Sequence, residues 1–327
     1  MKNKIIIIGG GIAGLIMGYE LTKRGIKDYT ILESSSSEQD LLSRSHIYYI
    51  HEQIEDIKHL LVEKHLQTFA YWKGRFFHRV NPLMANLYSQ RITGRNTPTA
   101  INHIDGKSKA GYFPDSGDLQ EIIKFYLSNQ GGKVLYKSKV IGVNTKERTV
   151  ALHDVFDYVP YKILINTTPM PMLLDMMKNN GIVEQKFEYS KIYIYKGQSI
   201  NTQDLYQEIY IPEFDDSSFY RMLIYNDTVI AESSEDLGPS GKDLFHNDVK
   251  TVFGLTMGRA VDQYELKSGR FIPIKDQIRK SIIGELTDKF NIFSFGRYGT
   301  WSYKRSDMLP KDAKDLIELI GYKGIAL

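Results

Sequence analysis

The sequence predicts an α/β protein: a Rossmann-like domain that carries a discontinuous, mainly antiparallel β domain. Three observations predict it. A glycine-rich strand, turn, helix and strand open the chain. A helix, a polar hairpin and an apolar return strand follow over 118–166. Two stretches, 47–110 and 181–284, abandon the α/β alternation for strands and loops. Residues 1–46, 111–180 and 285–327 are therefore assigned to the Rossmann-like domain, and 47–110 and 181–284 to a substrate-side domain. At roughly 150 residues per domain, a chain of 327 residues is expected to hold about two.

The opening unit comes first. Lys2 and Lys4 precede an apolar run, as in a secretory leader, but the run is too short to span a bilayer. Its internal order is different. Ile5 to Ile8 are β-branched, as expected for a parallel strand buried on both faces. Glycines follow at 9, 10, 11, 14 and 18, a helix is expected over 13–24, and a second strand over 29–32 ends at Glu33. Gly9-x-Gly11-x-x-Gly14 directly after a strand is the dinucleotide-binding spacing, with Ile12 and Ala13 opening the helix. Gly9 permits the tight turn, Gly11 lets a pyrophosphate approach the backbone, and Gly14 lets the helix pack on the strand. The helix N-terminus offers free N–H groups to phosphate. Glu33 is placed to accept from the adenosine ribose and would repel a 2′-phosphate, which disfavours NADP. Gly18 lengthens the motif to a form similar to that of flavoproteins, which favours FAD over NAD. A glycine turn without a dinucleotide is the alternative.

In the middle of the chain, Asp118 with Glu121 reads as an N-cap and acidic third residue, and Gly131-Gly132 ends the helix. Strands are expected over 133–136, 139–143, 149–153 and 162–166, with a polar turn at 144–148. Such a hairpin is common in FAD-binding folds of the glutathione-reductase type, in which the backbone near Val140 sits beside the adenine. An ordinary β-meander fits the segment equally. Between 47 and 110, Ile54, Ile57, Leu60 and Leu61 suggest a helix, and Lys73-Gly74 a hairpin turn. Lys73, Arg75, His78 and Arg79 interleave with Tyr71, Trp72, Phe76 and Phe77, a pattern open to nucleic-acid stacking but better read as an amphipathic hairpin.

The C-terminal region offers a last buried strand over 291–295, a Gly296-Arg297 turn, the run to Trp301 and Tyr303, then Asp307-Met308 and a helix from near Pro310. With these residues the chain resembles the UDP-galactopyranose mutase family, within the superfamily of flavin amine oxidases and protoporphyrinogen oxidases. Ile165 to Pro169, containing Thr167, looks like that family's strand end. The 208–221 stretch, with Tyr210-Ile211-Pro212-Glu213 and Phe219-Tyr220-Arg221, and 269–273 look like two further family segments. The resemblance is weak over 34–110. The family's Gly-Gly pair after the ribose acid is replaced by a serine-rich stretch, where Arg44 and His46 are candidates for part of its role.

The resemblance implies FAD, bound through Gly9, Gly11, Ile12, Ala13, Gly14, Glu33, Arg44, His46, Val140, Thr167, Gly296, Arg297, Asp307 and Met308. N–H groups near Asp307 and Met308 would face the flavin's pyrimidine edge, and Arg297 would add positive charge. Arg221 would grip a nucleoside diphosphate, where a guanidinium fork outperforms lysine, and Tyr220 and Tyr303 would donate hydroxyls. The implied activity is that of a flavoenzyme on a nucleotide-linked or similar small polar substrate. A flavin amine oxidase or dehydrogenase, acting on an amine or modified nucleobase, is the second reading. A binding protein of the Rab escort or GDP-dissociation-inhibitor type is the third.

Composition sets outer limits. With no cysteine, disulfides, thiolate metal sites, iron–sulfur clusters and cysteine nucleophiles are excluded. A balance of 42 basic against 39 acidic residues, net +3, does not point to nucleic acid. The eight histidines lack metal-ligand spacing and no phosphate-binding GKS/T loop occurs, so neither a catalytic metal nor a P-loop is expected. No segment reads as a membrane span, and a cytoplasmic protein is expected.

Overall fold

A computed structural model describes residues 5–43, 48–94, 101, 104–115, 117–153, 158–177, 185–201 and 204–322. The chain divides into two compact units, 1–62 with 112–187 and 273–327, and 63–111 with 188–272. Residues 48–62, 185–187 and 273–284 therefore belong to the first unit and residue 111 to the second, whereas the sequence reading grouped them the other way. The reason is burial: Ile50, Ile54, Ile57 and Leu61 join the first unit's core. Helix Asp276–Phe290, not anticipated, packs on strand Ile292–Ser294. The expected helix near Ile54 is a 3-10 turn, Glu55–Leu60.

In the first unit a parallel sheet runs in the order Ile292–Ser294, Ile163–Asn166, Ile5–Ile8, Tyr29–Leu32, Val134–Leu135. All four opening isoleucines are buried, as the β-branched run predicts for a central strand. Helix Ile12–Lys23 lies against helices Leu119–Asn129 and Leu309–Tyr322. Gly18 makes its close approach to the sheet possible: a Cβ there would sit 2.8 Å from the Ile31 side chain. The chain goes from the central strand to Tyr29–Leu32 on one side and later returns to Ile163–Asn166 on the other. That reversal puts a crevice at the carboxyl ends of Ile5–Ile8 and Ile163–Asn166, the position where open α/β sheets bind ligands.

Asp118 caps helix Leu119–Asn129, its Oδ1 accepting from the Glu121 N–H at 2.9 Å. The polar hairpin is two strands of a three-stranded meander, Val140–Asn144, Thr149–Leu152 and Tyr158–Pro160.

The second unit is built on one large mixed sheet, in the order Met257–Ile272, Glu188–Ser199, Thr228–Ser233, Arg221–Tyr225, Tyr206–Tyr210, Leu61–Trp72, Arg75–Phe77. The pairs along this order are antiparallel except Tyr206–Tyr210 with Leu61–Trp72, and an eighth strand, Lys109–Pro114, also pairs with Leu61–Trp72. Tyr195, Ile209, Phe219, Met222 and Phe245 centre its core. Two helices, Pro82–Thr93 and Gly241–Phe253, complete it. The first has full helix punctuation: Asn81 accepts from the Met84 N–H, Pro82 starts the helix, and Gly94 ends it at φ +67°.

Candidate functional site

The opening turn has the geometry its glycines predict. Gly9 sits at φ +98° with the Thr167 hydroxyl 2.6 Å from where a Cβ would be. A Cβ on Gly14 would fall 1.9 Å from the Gly9 carbonyl oxygen, so only glycine lets the helix start this close to the strand. Gly11 is different. It has an ordinary backbone, φ −63° and ψ 179°, and nothing lies within 4 Å of its Cβ position. No side chain caps the helix and no acidic residue occupies its first turn, which leaves the N-terminal N–H groups and positive dipole end facing open space.

Glu33 is buried beside this turn. Its Oε2 accepts the Gly10 N–H at 2.6 Å. Oε1 accepts the Ser35 N–H at 2.7 Å and the hydroxyls of Ser35 and Ser34 at 2.9 and 3.1 Å. With about two acceptor sites per carboxylate oxygen, Oε2 retains room for another donor. The serine stretch thus holds the acid in place rather than forming a loose loop. Its later members start a helix: Ser36 donates to Asp40, and the Asp40 N–H donates to Ser37 Oγ. Arg44 and His46 lie outside the described residues.

Backbone bonds from Lys137 to Ser35 and from Ser138 to Glu33, 2.9 and 2.8 Å, tie the base of the meander to the acid. Val140 follows two residues later and is buried. Tyr136, read from the sequence only as a strand end, stands in the same segment. Its hydroxyl is buried without a hydrogen-bond partner and is pushed up to about 12 by burial, then by the charges of Glu38 and Glu33.

Two other segments reach the same edge of the sheet. Thr167 donates its hydroxyl to the Ile8 carbonyl at 2.7 Å. Gly296, at φ +74°, leaves only 2.7 Å between its Cβ position and the Cβ of Ala13 in the first turn of the glycine helix. A Cβ on Gly299 would be 2.3 Å from the Asn166 carbonyl oxygen. Residues 9–14, 166–168 and 295–299, far apart in sequence, therefore meet at one crevice edge. Arg297 lies 5.4 Å from the ring centre of Tyr303, which is 66% exposed. Trp301 is fully buried against Phe187.

Asp307 departs from expectation. Its side chain is 1% exposed and turns inward, accepting from the His51 and Glu52 N–H groups at 3.1 and 3.0 Å and from Arg305 at 3.0 Å. It buckles the C-terminal turn to the 51–52 loop. The Met308 N–H is spent on the Arg305 carbonyl, although its side chain is exposed. The Asp307 carboxylate and the Met308 N–H are thus both engaged within the first unit.

Arg221 and Tyr220 come together in the second unit, in company the sequence did not announce. Arg221 donates from Nε to Glu208 Oε1 at 2.6 Å and from Nη1 to Glu232 Oε1 at 2.5 Å, with Nη2 also on Glu208. Tyr220 donates to Glu232 Oε2 at 2.6 Å. Arg270 lies over the Tyr220 ring at 4.6 Å and reaches its hydroxyl at 3.3 Å. Burial opposes the charge on Glu232. Arg221 and Arg270, with the hydrogen bonds, outweigh that and hold its carboxyl below the usual range. Arg221 is thus held by two carboxylates in its own sheet.

No protein-family model matches the chain, and no curated protein does. Solved structures do. The chain shares its fold with a reduced UDP-galactopyranose mutase. That match covers 100% of this chain and 95% of the other, with a TM-score of 0.76 and 17% identity. A fatty acid isomerase from P. acnes matches at 0.64 with 12% identity over 97% and 98% of the two chains. A protein described as a protoporphyrinogen oxidase from Exiguobacterium sp. 255-15 matches at 0.63 with 10% identity over 97% and 99%. The glycine turn, the Thr167 strand end and the Gly296 segment are thus read within a fold shared with these proteins.

Sequence reasoning missed Glu208, Glu232 and Arg270, which only cross-strand register brings together: Arg221 pairs directly with Glu232. It also missed Tyr88 and Arg91, on helix Pro82–Thr93. Arg91 donates to the carbonyls of Ile211, Glu213 and Ser217 at 2.6–2.8 Å, and burial lowers it to about 10. The Asn81-Pro82 cap and Gly94 were the signal for that helix. Among the described residues no helix is long and apolar enough to cross a membrane.

Proposed function

We propose that the protein is an FAD-dependent flavoenzyme acting on a small polar substrate. The observation that carries this is the open space at Gly11, flanked by uncapped helix N–H groups on one side and by the buried Glu33 on the other. A pyrophosphate needs a cradle without side chains and with free donors. A ribose needs a fixed carboxylate at its distance from that cradle. Both requirements are met by residues of the first unit. Ala13, Thr167 and Gly296–Gly299 supply the neighbouring crevice edge. FAD, when bound, supplies hydride acceptance, or in its reduced form a nucleophile for an electrophilic carbon. The chain's own contribution is binding and charge. Gly10 and Ser35 N–H groups fix the position of the Glu33 carboxyl, and Arg297 sets a positive charge beside Tyr303.

Of the two chemistries, hydride transfer is favoured. A mutase that expels a nucleoside diphosphate requires an arginine open to phosphate, and Arg221 is committed to Glu208 and Glu232. The mutase-like fold supports the other reading. The experiment that separates them is anaerobic mixing of the yellow protein with candidate amines, hydroxy acids and UDP-galactopyranose. Bleaching near 450 nm (about the oxidised-flavin band) by a substrate alone supports hydride transfer. Turnover of the nucleotide sugar only after chemical reduction, with no net electrons consumed, would replace it with the mutase.

A further inference from the structure

A cavity of about 330 Å³ opens on the three-stranded meander, and every residue that lines it falls within 142–177, inside the first unit. Its floor is one row across the strands: Gly142 pairs with Ala151, and Ala151 with Tyr158. A bulge at Ile141 creates that row. The register shifts between Val140, opposite Leu152, and Gly142, opposite Ala151, so these two residues of one strand point to opposite faces. Val140 and Val150 are buried on the other face. Helix Met170–Met176 packs on strand Val140–Asn144, and Met176 and Met177 wall the cavity. The Tyr158 ring, 67% exposed, ends the row.

Gly142 keeps that floor open although the backbone does not need it. Its φ is not positive, and a Cβ there would meet only the Ala151 Cβ at 3.6 Å and the Met176 carbonyl oxygen at 4.0 Å, both ordinary contacts. Glycine weakens a strand, and one that neither conformation nor close packing requires marks a place where something else approaches the backbone. Polar groups gather on the next rung, where Asn144 pairs with Thr149. The Thr149 hydroxyl is buried with no hydrogen-bond partner, which the fold itself does not explain. Asn144 Oδ1 accepts the Lys146 and Glu147 N–H groups at 3.1 and 3.0 Å and so fixes the turn that carries Lys146. Lys146 is exposed, lines the cavity and pairs with no carboxylate among the described residues. Among those residues no carboxylate lines the cavity either.

We infer that this cavity is a binding site for a planar aromatic monocarboxylate. A flat ring suits a floor of Gly142 and Ala151, where the methionine thioethers and the Tyr158 ring meet it with polarisable surface. Its size is at the lower end of ligand pockets, roughly 300–1,000 Å³, which limits the guest to a small ring system. Lys146 supplies the single countercharge and Thr149 a hydroxyl. A phosphate would call for an arginine fork, and among the described residues no arginine lines the cavity. The site shares no residue with the glycine turn, and the inference does not rest on the flavin reading.

The test is calorimetric titration of the full chain, with FAD added, by 2-naphthoate. Saturable binding of one molecule per chain is expected. Cyclohexanecarboxylate, with the charge but no flat ring, and 2-naphthalenemethanol, with the ring but no charge, should each bind at least tenfold more weakly. Gly142→Val places a side chain on the floor and should weaken 2-naphthoate at least tenfold, while its thermal midpoint equals or exceeds the parent's. Lys146→Gln should weaken 2-naphthoate severalfold and leave 2-naphthalenemethanol unchanged. Absence of saturable binding overturns the site. Binding undiminished in Gly142→Val puts the ligand elsewhere, the flavin crevice included, and also overturns it. If Gly142→Val lowers the midpoint, Ala151→Leu fills the same floor from the neighbouring strand, and undiminished binding there overturns the site. Equal affinity for cyclohexanecarboxylate overturns the planar class, and equal affinity for 2-naphthalenemethanol overturns the charge assignment.

Discussion

Replacing Gly11 or Gly14 by alanine adds one methyl group in each case, but the two methyls arrive in different surroundings. At Gly14 the new carbon would stand 1.9 Å from the Gly9 carbonyl oxygen, more than 1 Å inside any tolerated contact, and a backbone oxygen cannot rotate away. The helix must move off the strand, an overpacking that costs about 1–3 kcal/mol or more. At Gly11 nothing lies within 4 Å and φ is −63°, so no clash or strain is created. Only the weaker N-cap preference of alanine remains, about 1 kcal/mol. If that space belongs to the pyrophosphate of FAD, the stabilisation conferred by the cofactor is what Gly11→Ala loses. That stabilisation is about 2.7 kcal/mol at a hundredfold excess of ligand over its dissociation constant. Urea unfolding with and without FAD separates the two. Gly14→Ala should be destabilised in both conditions. Gly11→Ala should lose no more than about 1 kcal/mol without FAD and fail to gain when FAD is added. A Gly11→Ala protein that gains as much from FAD as the parent refutes the assignment of the turn.

Further expectations follow from the buried polar groups. Glu33→Ala should cost about 1–3 kcal/mol by unpairing the Gly10 and Ser35 N–H groups, and should weaken FAD binding, both readable by denaturation and flavin titration. Arg91→Met should cost about 3 kcal/mol, because three carbonyls at 211, 213 and 217 lose their donor; a midpoint unchanged in urea would contradict the pinning role. Glu232 has its folded-state carboxyl held below the usual range, so its contribution is present above the ordinary carboxylate value and is lost as pH falls through the lower, folded one. Thermal midpoints should therefore drop on acidification below the usual carboxylate range, and Glu232→Gln should flatten that drop while lowering stability at neutral pH. A parallel drop in the variant would remove Glu232 from the explanation.

What could be read from the sequence divides along a physical line. The opening unit was legible because its information is local: four isoleucines, glycines at fixed spacing and an acid at the end of the next strand. Asp118 with Glu121 was legible for the same reason. The C-terminal segment was legible as a motif, yet the inward turn of the Asp307 side chain was not. The deciding contact is with the backbone of residues 51–52, more than 250 residues away. The Arg221 cluster was illegible because it depends on the register of adjacent strands and on Arg270 from another strand. Helices Pro82–Thr93 and Gly241–Phe253 were readable in principle, from their glycine ends and the Asn81 cap, but the surrounding strand-like composition masked them.

The central claim is that the first unit holds one FAD at the Gly9–Gly14 turn, clasped by Glu33. Its most direct measurement is the stoichiometry of flavin released by denaturing the purified, FAD-reconstituted chain, identified by mass and quantified by absorbance. One FAD per chain in the parent, with little or none in Gly11→Val, is the predicted result. A parent that retains no flavin, or a Gly11→Val chain that retains as much as the parent, would contradict it.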